Sequence, residues 1–86
     1  MIDLHAIAIG DQAYLEEGGE EFGAVRALDP TQQAVIIYIE NRGEFSVALQ
    51  AVRGVHDGKV VFDGARLPSA MRAAIRHAHD REDPGL

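Results

Sequence analysis

Val35-Ile36-Ile37-Tyr38-Ile39-Glu40-Asn41-Arg42-Gly43-Glu44-Phe45-Ser46-Val47-Ala48-Leu49 decides the fold. Val35–Ile39 is a run of β-branched residues with one tyrosine, the composition of a strand. Asn41-Arg42-Gly43 is a turn signal. Phe45, Val47 and Leu49 then alternate with Ser46, Ala48 and Gln50, which reads as a strand with one wet face. The same rhythm extends to both sides. Ala13-Tyr14-Leu15 is followed by the tip Glu16-Glu17-Gly18-Gly19-Glu20-Glu21, whose glycines suit a hairpin loop. Phe22–Leu28 runs to Asp29-Pro30-Thr31, where proline ends a central strand. Val52–Val55 leads into Asp57-Gly58, a strong two-residue hairpin signal, and Lys59–Asp63 is the last strand. Ile7-Ala8-Ile9 is a further apolar run, stopped at Gly10-Asp11. Short strands stopped by turns about every ten residues predict a small, closed or nearly closed β-structure.

After Gly64 the period changes. Leu67, Ala70, Met71, Ala74, Ile75 and Ala78 recur at helical spacing, with Arg72 and Arg76 on the other face. Pro68 suits a first helical position. A helix of about three turns is marginal alone and must pack on something. The expected organisation is a β domain over residues 1–66, an amphipathic helix over 67–80 packed on that domain or on a partner, and a flexible tail over 81–86.

Length and composition bound the function. The 86 residues make one domain, with 47% apolar and 26% charged residues, which argues against disorder. There is no cysteine, so disulfides and thiolate metal sites are excluded. No apolar run approaches the roughly 18 residues a membrane span needs. The opening residues Met1–His5 carry no basic cluster, so no secretory signal is expected there, and the expected location is the cytoplasm. The net charge of −6 disfavours nucleic acid and anionic membranes as partners. Residues 1–50 hold nine acids against two bases, and residues 51–86 hold five against six. The molecule is therefore electrically polarised, although such charges most often serve only as solvated faces.

Gly10–Leu15 and then Gly18-Gly19-Glu20-Glu21-Phe22-Gly23-Ala24-Val25 resemble the opening of a PRC-barrel domain. That family begins with a strand, a glycine-containing tip and an apolar-Gly-x-Val strand, which Phe22-Gly23-Ala24-Val25 matches. Phe45–Leu49 with Val52 and Val55 resembles the family's later strand pair. His56-Asp57-Gly58-Lys59-Val60-Val61 resembles its closing hairpin. The resemblance covers about residues 7–63. It implies a small six-stranded antiparallel barrel, to which this chain adds one C-terminal helix. It also implies an assembly module without catalytic residues or cofactor, of the kind found in stand-alone prokaryotic proteins, in the H subunit of the photosynthetic reaction centre and in the ribosome maturation factor.

One strand departs from that pattern. Val35, Ile37 and Ile39 share one face, and Ile36 and Tyr38 share the other, so both faces are apolar. One face fills the interior and the other needs a cover. The cover is either the chain's own helix, through Met71 and Ile75, or a second protein chain. Ile36, Tyr38, Met71 and Ile75 are accordingly the candidate protein-binding residues, with a homodimer as the simplest partnership.

Chemistry is poorly provided for. His77 and His79 lie two apart, about 200° around a helix, and cannot grip one ion. His5 and His56 have no partner at ligand spacing, so no metal is expected. The Glu16, Glu17, Glu20 and Glu21 cluster does not match a calcium loop. Gly18-Gly19 sits among acids that would repel phosphate. Thr31, Ser46 and Ser69 have no nucleophile elbow around them. The expectation is therefore not an enzyme. The alternative is a small-ligand or enzymatic domain in which His56 or His79 meets a carboxylate in a concave site.

Overall fold

Turn residues place the strands. The computed structural model describes residues 2–16 and 21–81, with the backbone alone for 77–81. The strands are β1 (Gln12–Leu15), β2 (Glu21–Asp29), β3 (Ala34–Ile39), β4 (Gly43–Ala48), β5 (Val52–His56) and β6 (Lys59–Phe62). Asp57 and Gly58 both have positive φ, as a two-residue hairpin that follows the right-handed twist of its strands requires. The Asp29 carboxylate accepts from the Thr31 and Gln32 amides and so starts the β2–β3 turn. The glycine tip between β1 and β2 lies outside the described residues.

Ile7-Ala8-Ile9 is not a strand. Asp3 caps a 3-10 turn over Leu4–Ala6, and a tight turn follows, closed by the Ala8 amide on the Asp11 carboxylate. Ile7 is buried there, while Ile9 is 68% exposed.

The sheet order is β4-β3-β2-β1-β6-β5. Neighbours run antiparallel except β1 and β6, which pair in parallel from Gln12 opposite Lys59 to Leu15 opposite Phe62. The all-antiparallel expectation is therefore corrected to a mixed sheet. Alternation along one strand is the same for either pairing direction, and β1 and β6 lie far apart in the chain. The sheet is also not closed, because β4 and β5 are its two edges. It is nonetheless rolled. Six flat strands would set the outer two about 24 Å apart. Ala48 and Val52, on opposite edges, are joined only by a 3-10 turn over Leu49–Ala51, which spans at most about 14 Å. The edges must converge at that end, leaving an open seam.

The roll encloses one core. Ala13, Val25, Val35, Ile37, Ile39, Val47, Val52, Val60 and Phe62 form it with the N-terminal Leu4 and Ile7. The rings of Phe22 and Phe62 meet edge to face at 5.9 Å. The helix α1 (Ser69–Arg81) begins two residues later than expected, just after Pro68, whose carbonyl accepts from the Arg72 amide; residues 82–86 of the expected tail lie outside the described residues. Leu67, Met71, Ala74 and Ile75 join the same core, while Arg72 and Arg76 are exposed. The helix is thus held by its apolar stripe, as its short length requires. No helix among the described residues is long and apolar enough to cross a membrane.

A charged clasp closes one end of the roll. Asp63 follows β6 and is only 12% exposed at its side chain. One carboxylate oxygen accepts from the Ala65 amide at 3.0 Å and caps the 3-10 turn Gly64–Arg66. The other lies 3.3 Å from Arg53 and 3.4 Å from Arg66. Arg53 also meets Glu16, at 3.2 Å. The clasp ties the end of β1, the β5 edge and the link into α1. Both arginines are more than half exposed, so each ion pair contributes little by itself. Asp63→Asn, which keeps the cap acceptor, should cost about 1 kcal/mol. Asp63→Ala, which loses the cap as well, should cost about 2 kcal/mol. Urea midpoints of the two variants test this order; equal losses would mean that the cap contributes nothing, and no loss in Asp63→Asn would mean the same of the charge.

Candidate protein interface

β3 carries the candidate residues on two different faces. Val35, Ile37 and Ile39 are fully buried in the core, and Ile36 and Tyr38 are half-buried on the outside of the roll. Met71 is fully buried and Ile75 is 4% exposed, both within the core. The structure therefore brings Ile36 and Tyr38 together but separates them from Met71 and Ile75 by the thickness of the sheet. Met71 and Ile75 are occupied inside the chain. The helix caps the inner face, so it does not cover Ile36 and Tyr38. The reason is geometric: β3 has apolar residues on both faces, and only the tertiary fold chooses which face the helix meets.

Register supplies the neighbours on the outer face. Ala24, Tyr38 and Glu44 lie in one row, and Ala27, Ile36 and Ser46 in the next. Between Ala24 and Ala27 the β2 strand bulges, since Val25 pairs with Ile37 and Ala27 with Ile36. The extra residue is Arg26. A bulge re-aims a side chain, and the Arg26 guanidinium lies 4.5 Å from the centre of the Tyr38 ring. Its far nitrogen is 3.3 Å from a Glu44 carboxylate oxygen. Tyr38 is thus partly roofed by a cation that is itself paired. Sequence reading missed Arg26, because a bulge leaves no mark beyond a break in alternation within Val25-Arg26-Ala27-Leu28.

The arrangement suits recognition better than chemistry. Tyrosine and arginine are among the residues that most often dominate protein interfaces, and the half-buried Ala24 and Ala27 flank them. The histidines are elsewhere. His5 is exposed beside Asp3 at 3.5 Å, His56 is exposed at the β5–β6 hairpin, and the side chains of His77 and His79 lie outside the described ones. Among the described residues, no three His, Asp or Glu side chains converge as metal ligands would. Of the acidic cluster, Glu16 pairs with Arg53 and Glu21 accepts from Gln12 at 3.4 Å; Glu17 and Glu20 lie outside the described residues.

No family model matches the chain, and no curated protein or solved structure is similar to it.

Proposed function

We propose that this chain is a non-catalytic protein-interaction module of the PRC-barrel type, whose outer β3 face pairs with a second copy of itself. The observation that carries the reading is the Ile36–Tyr38 pair on the outer face, roofed by Arg26 and flanked by Glu44. Opposite charges beside an apolar centre are self-complementary. A two-fold axis near Tyr38 sets the Arg26 of each copy against the Glu44 of the other. The rolled six-stranded sheet and the Phe22-Gly23-Ala24-Val25 strand are consistent with the PRC-type barrel and with the assembly role it implies.

Tyr38→Glu tests it. The new carboxylate would stand beside Glu44 and remove the central ring from the surface. In sedimentation velocity the parent chain is expected as a dimer at tens of micromolar, and the variant as a monomer with unchanged circular dichroism. A parent that sediments as a monomer up to millimolar concentration would overturn the reading.

A further inference from the structure

The β4 edge of the open seam is the least defended part of the molecule. The Leu49 amide donates to the Gln33 carbonyl at 2.9 Å, which makes residues 33 and 49 a hydrogen-bonded pair. Antiparallel pairs alternate. In the continuous β3–β4 register, the bonded pairs are then Val35 with Val47, Ile37 with Phe45 and Ile39 with Gly43. The backbone groups of Glu44, Ser46 and Ala48 consequently point away from β3, and all three residues are exposed. Edge strands are normally protected by bulges, proline or lysine. The β5 edge has a bulge between Val52 and Gly54, and Arg53 beside it. β4 has no bulge, proline or lysine, and its one charge, Glu44, meets Arg26 through one carboxylate oxygen while its side chain stays half exposed.

A groove begins where that edge ends. Ile2, Ala48, Leu49 and Val52 line it with the glutamines at 32, 33 and 50, around a volume of about 410 Å³. Among the described residues that line it, none carries a charged side chain. Ala48 belongs to both features, so a strand laid along β4 would run its end residue over the groove. Strand addition of this type takes affinity from backbone bonds and specificity from pockets for particular side chains.

The two features together discriminate between occupants. If the β4 of a second copy paired about Ser46, the Glu44 of that copy would face Ala48 and set a carboxylate beside a mostly apolar groove whose lining offers it no charged partner. A heterologous segment with a large apolar residue there has no such mismatch. At the other end, Glu44 favours a basic residue opposite it. Glu44 and Ala48 are four residues, about 13 Å, apart along the strand. We infer that the β4 edge binds an extended peptide segment of a protein partner, with a basic residue opposite Glu44 and a large apolar residue four positions away over the Ala48 groove.

This rests on reading the chain as an interaction module, but not on its outer face being the dimer surface. The probe is a fluorescein-labelled seven-residue peptide of threonines with Ile at its second and Lys at its sixth position, so that an antiparallel strand centred on Ser46 sets Lys opposite Glu44 and Ile opposite Ala48. Its variants carry Glu for Lys, Ser for Ile, or a methylated central backbone nitrogen. Anisotropy should show binding that weakens about tenfold with Ser for Ile, falls several-fold with Glu for Lys, and disappears on methylation. Amide exchange should slow at Glu44, Ser46 and Ala48. Ser46→Pro should abolish binding without unfolding the chain, because the Ser46 amide makes no bond to β3 and proline is tolerated on an edge. Binding that survives Ser46→Pro, equal affinity for all four peptides, or no binding at all would overturn the inference. A parent dimer that Ser46→Pro turns into a monomer would make a second copy the occupant and overturn it too. Loss of the dimer in Tyr38→Glu with peptide binding retained supports both readings separately. A monomeric parent that still binds the peptide removes only the outer-face reading.

Discussion

Phe62→Ala should leave the chain largely unfolded at physiological temperature. Phe62 is fully buried, stands edge to face with Phe22, and is opposite Leu15 on β1 and Val52 on β5. It therefore joins the parallel and antiparallel halves of the sheet at the seam end. Truncating a buried phenylalanine costs about 3–5 kcal/mol, through lost transfer energy and the cavity left behind. The whole stability of a domain is only about 5–15 kcal/mol, and a small one has little to spare. A thermal melt should show a midpoint lowered by roughly 12 °C or more. Phe62→Leu, which refills most of the space, should lose less than half as much. Comparable losses for both would mean that the site can collapse around a small residue and does not hold the two halves together.

Gly23→Ala should be the most damaging single methyl group in the chain. A Cβ at Gly23 would lie 2.5 Å from the Tyr38 carbonyl oxygen and 3.2 Å from a methyl of Ile37. The first obstacle is backbone in the neighbouring strand, which cannot retreat without opening the β2–β3 ladder. Overpacking of this kind costs about 1–3 kcal/mol. Gly54→Ala is the control, because a Cβ there meets nothing within 4 Å. It should be neutral or stabilising by up to about 1 kcal/mol, by restricting the unfolded chain. Urea midpoints moving equally for the two variants would refute the close approach at Gly23. The same contact gives a physical reason for glycine in Phe22-Gly23-Ala24-Val25: β3 lies too close to β2 there for any side chain.

Much of the architecture was legible because it depends on neighbours in the chain. Asp57-Gly58, Asn41-Arg42-Gly43 and Asp29-Pro30-Thr31 mark turns by backbone chemistry alone, and each turn occurs where it is expected. The helix follows from the spacing of Leu67, Met71, Ala74 and Ile75, which the core uses as one stripe. The apolar triplet Ile7-Ala8-Ile9 has no period of its own, and capping by Asp3 and Asp11 makes it loop. Ile36 and Tyr38 were legible as a second apolar face, but their company was not. Met71 and Ile75 share their hydrophobicity and not their side of the sheet.

The sequence by itself determined six strands, the turns after β2, β3 and β5, and one amphipathic helix, because φ preferences and side-chain periodicity act within a few residues. Tertiary structure alone decided the parallel β1–β6 pairing, the unpaired β4 and β5 edges, and the face of β3 that the helix covers. It also decided that the β2 bulge sets Arg26 over Tyr38, and that Asp63 gathers Arg53 and Arg66. Each of these joins groups distant in the chain or turns on a one-residue change of register. Alternation reports that a strand has two faces; only packing assigns each face its neighbour.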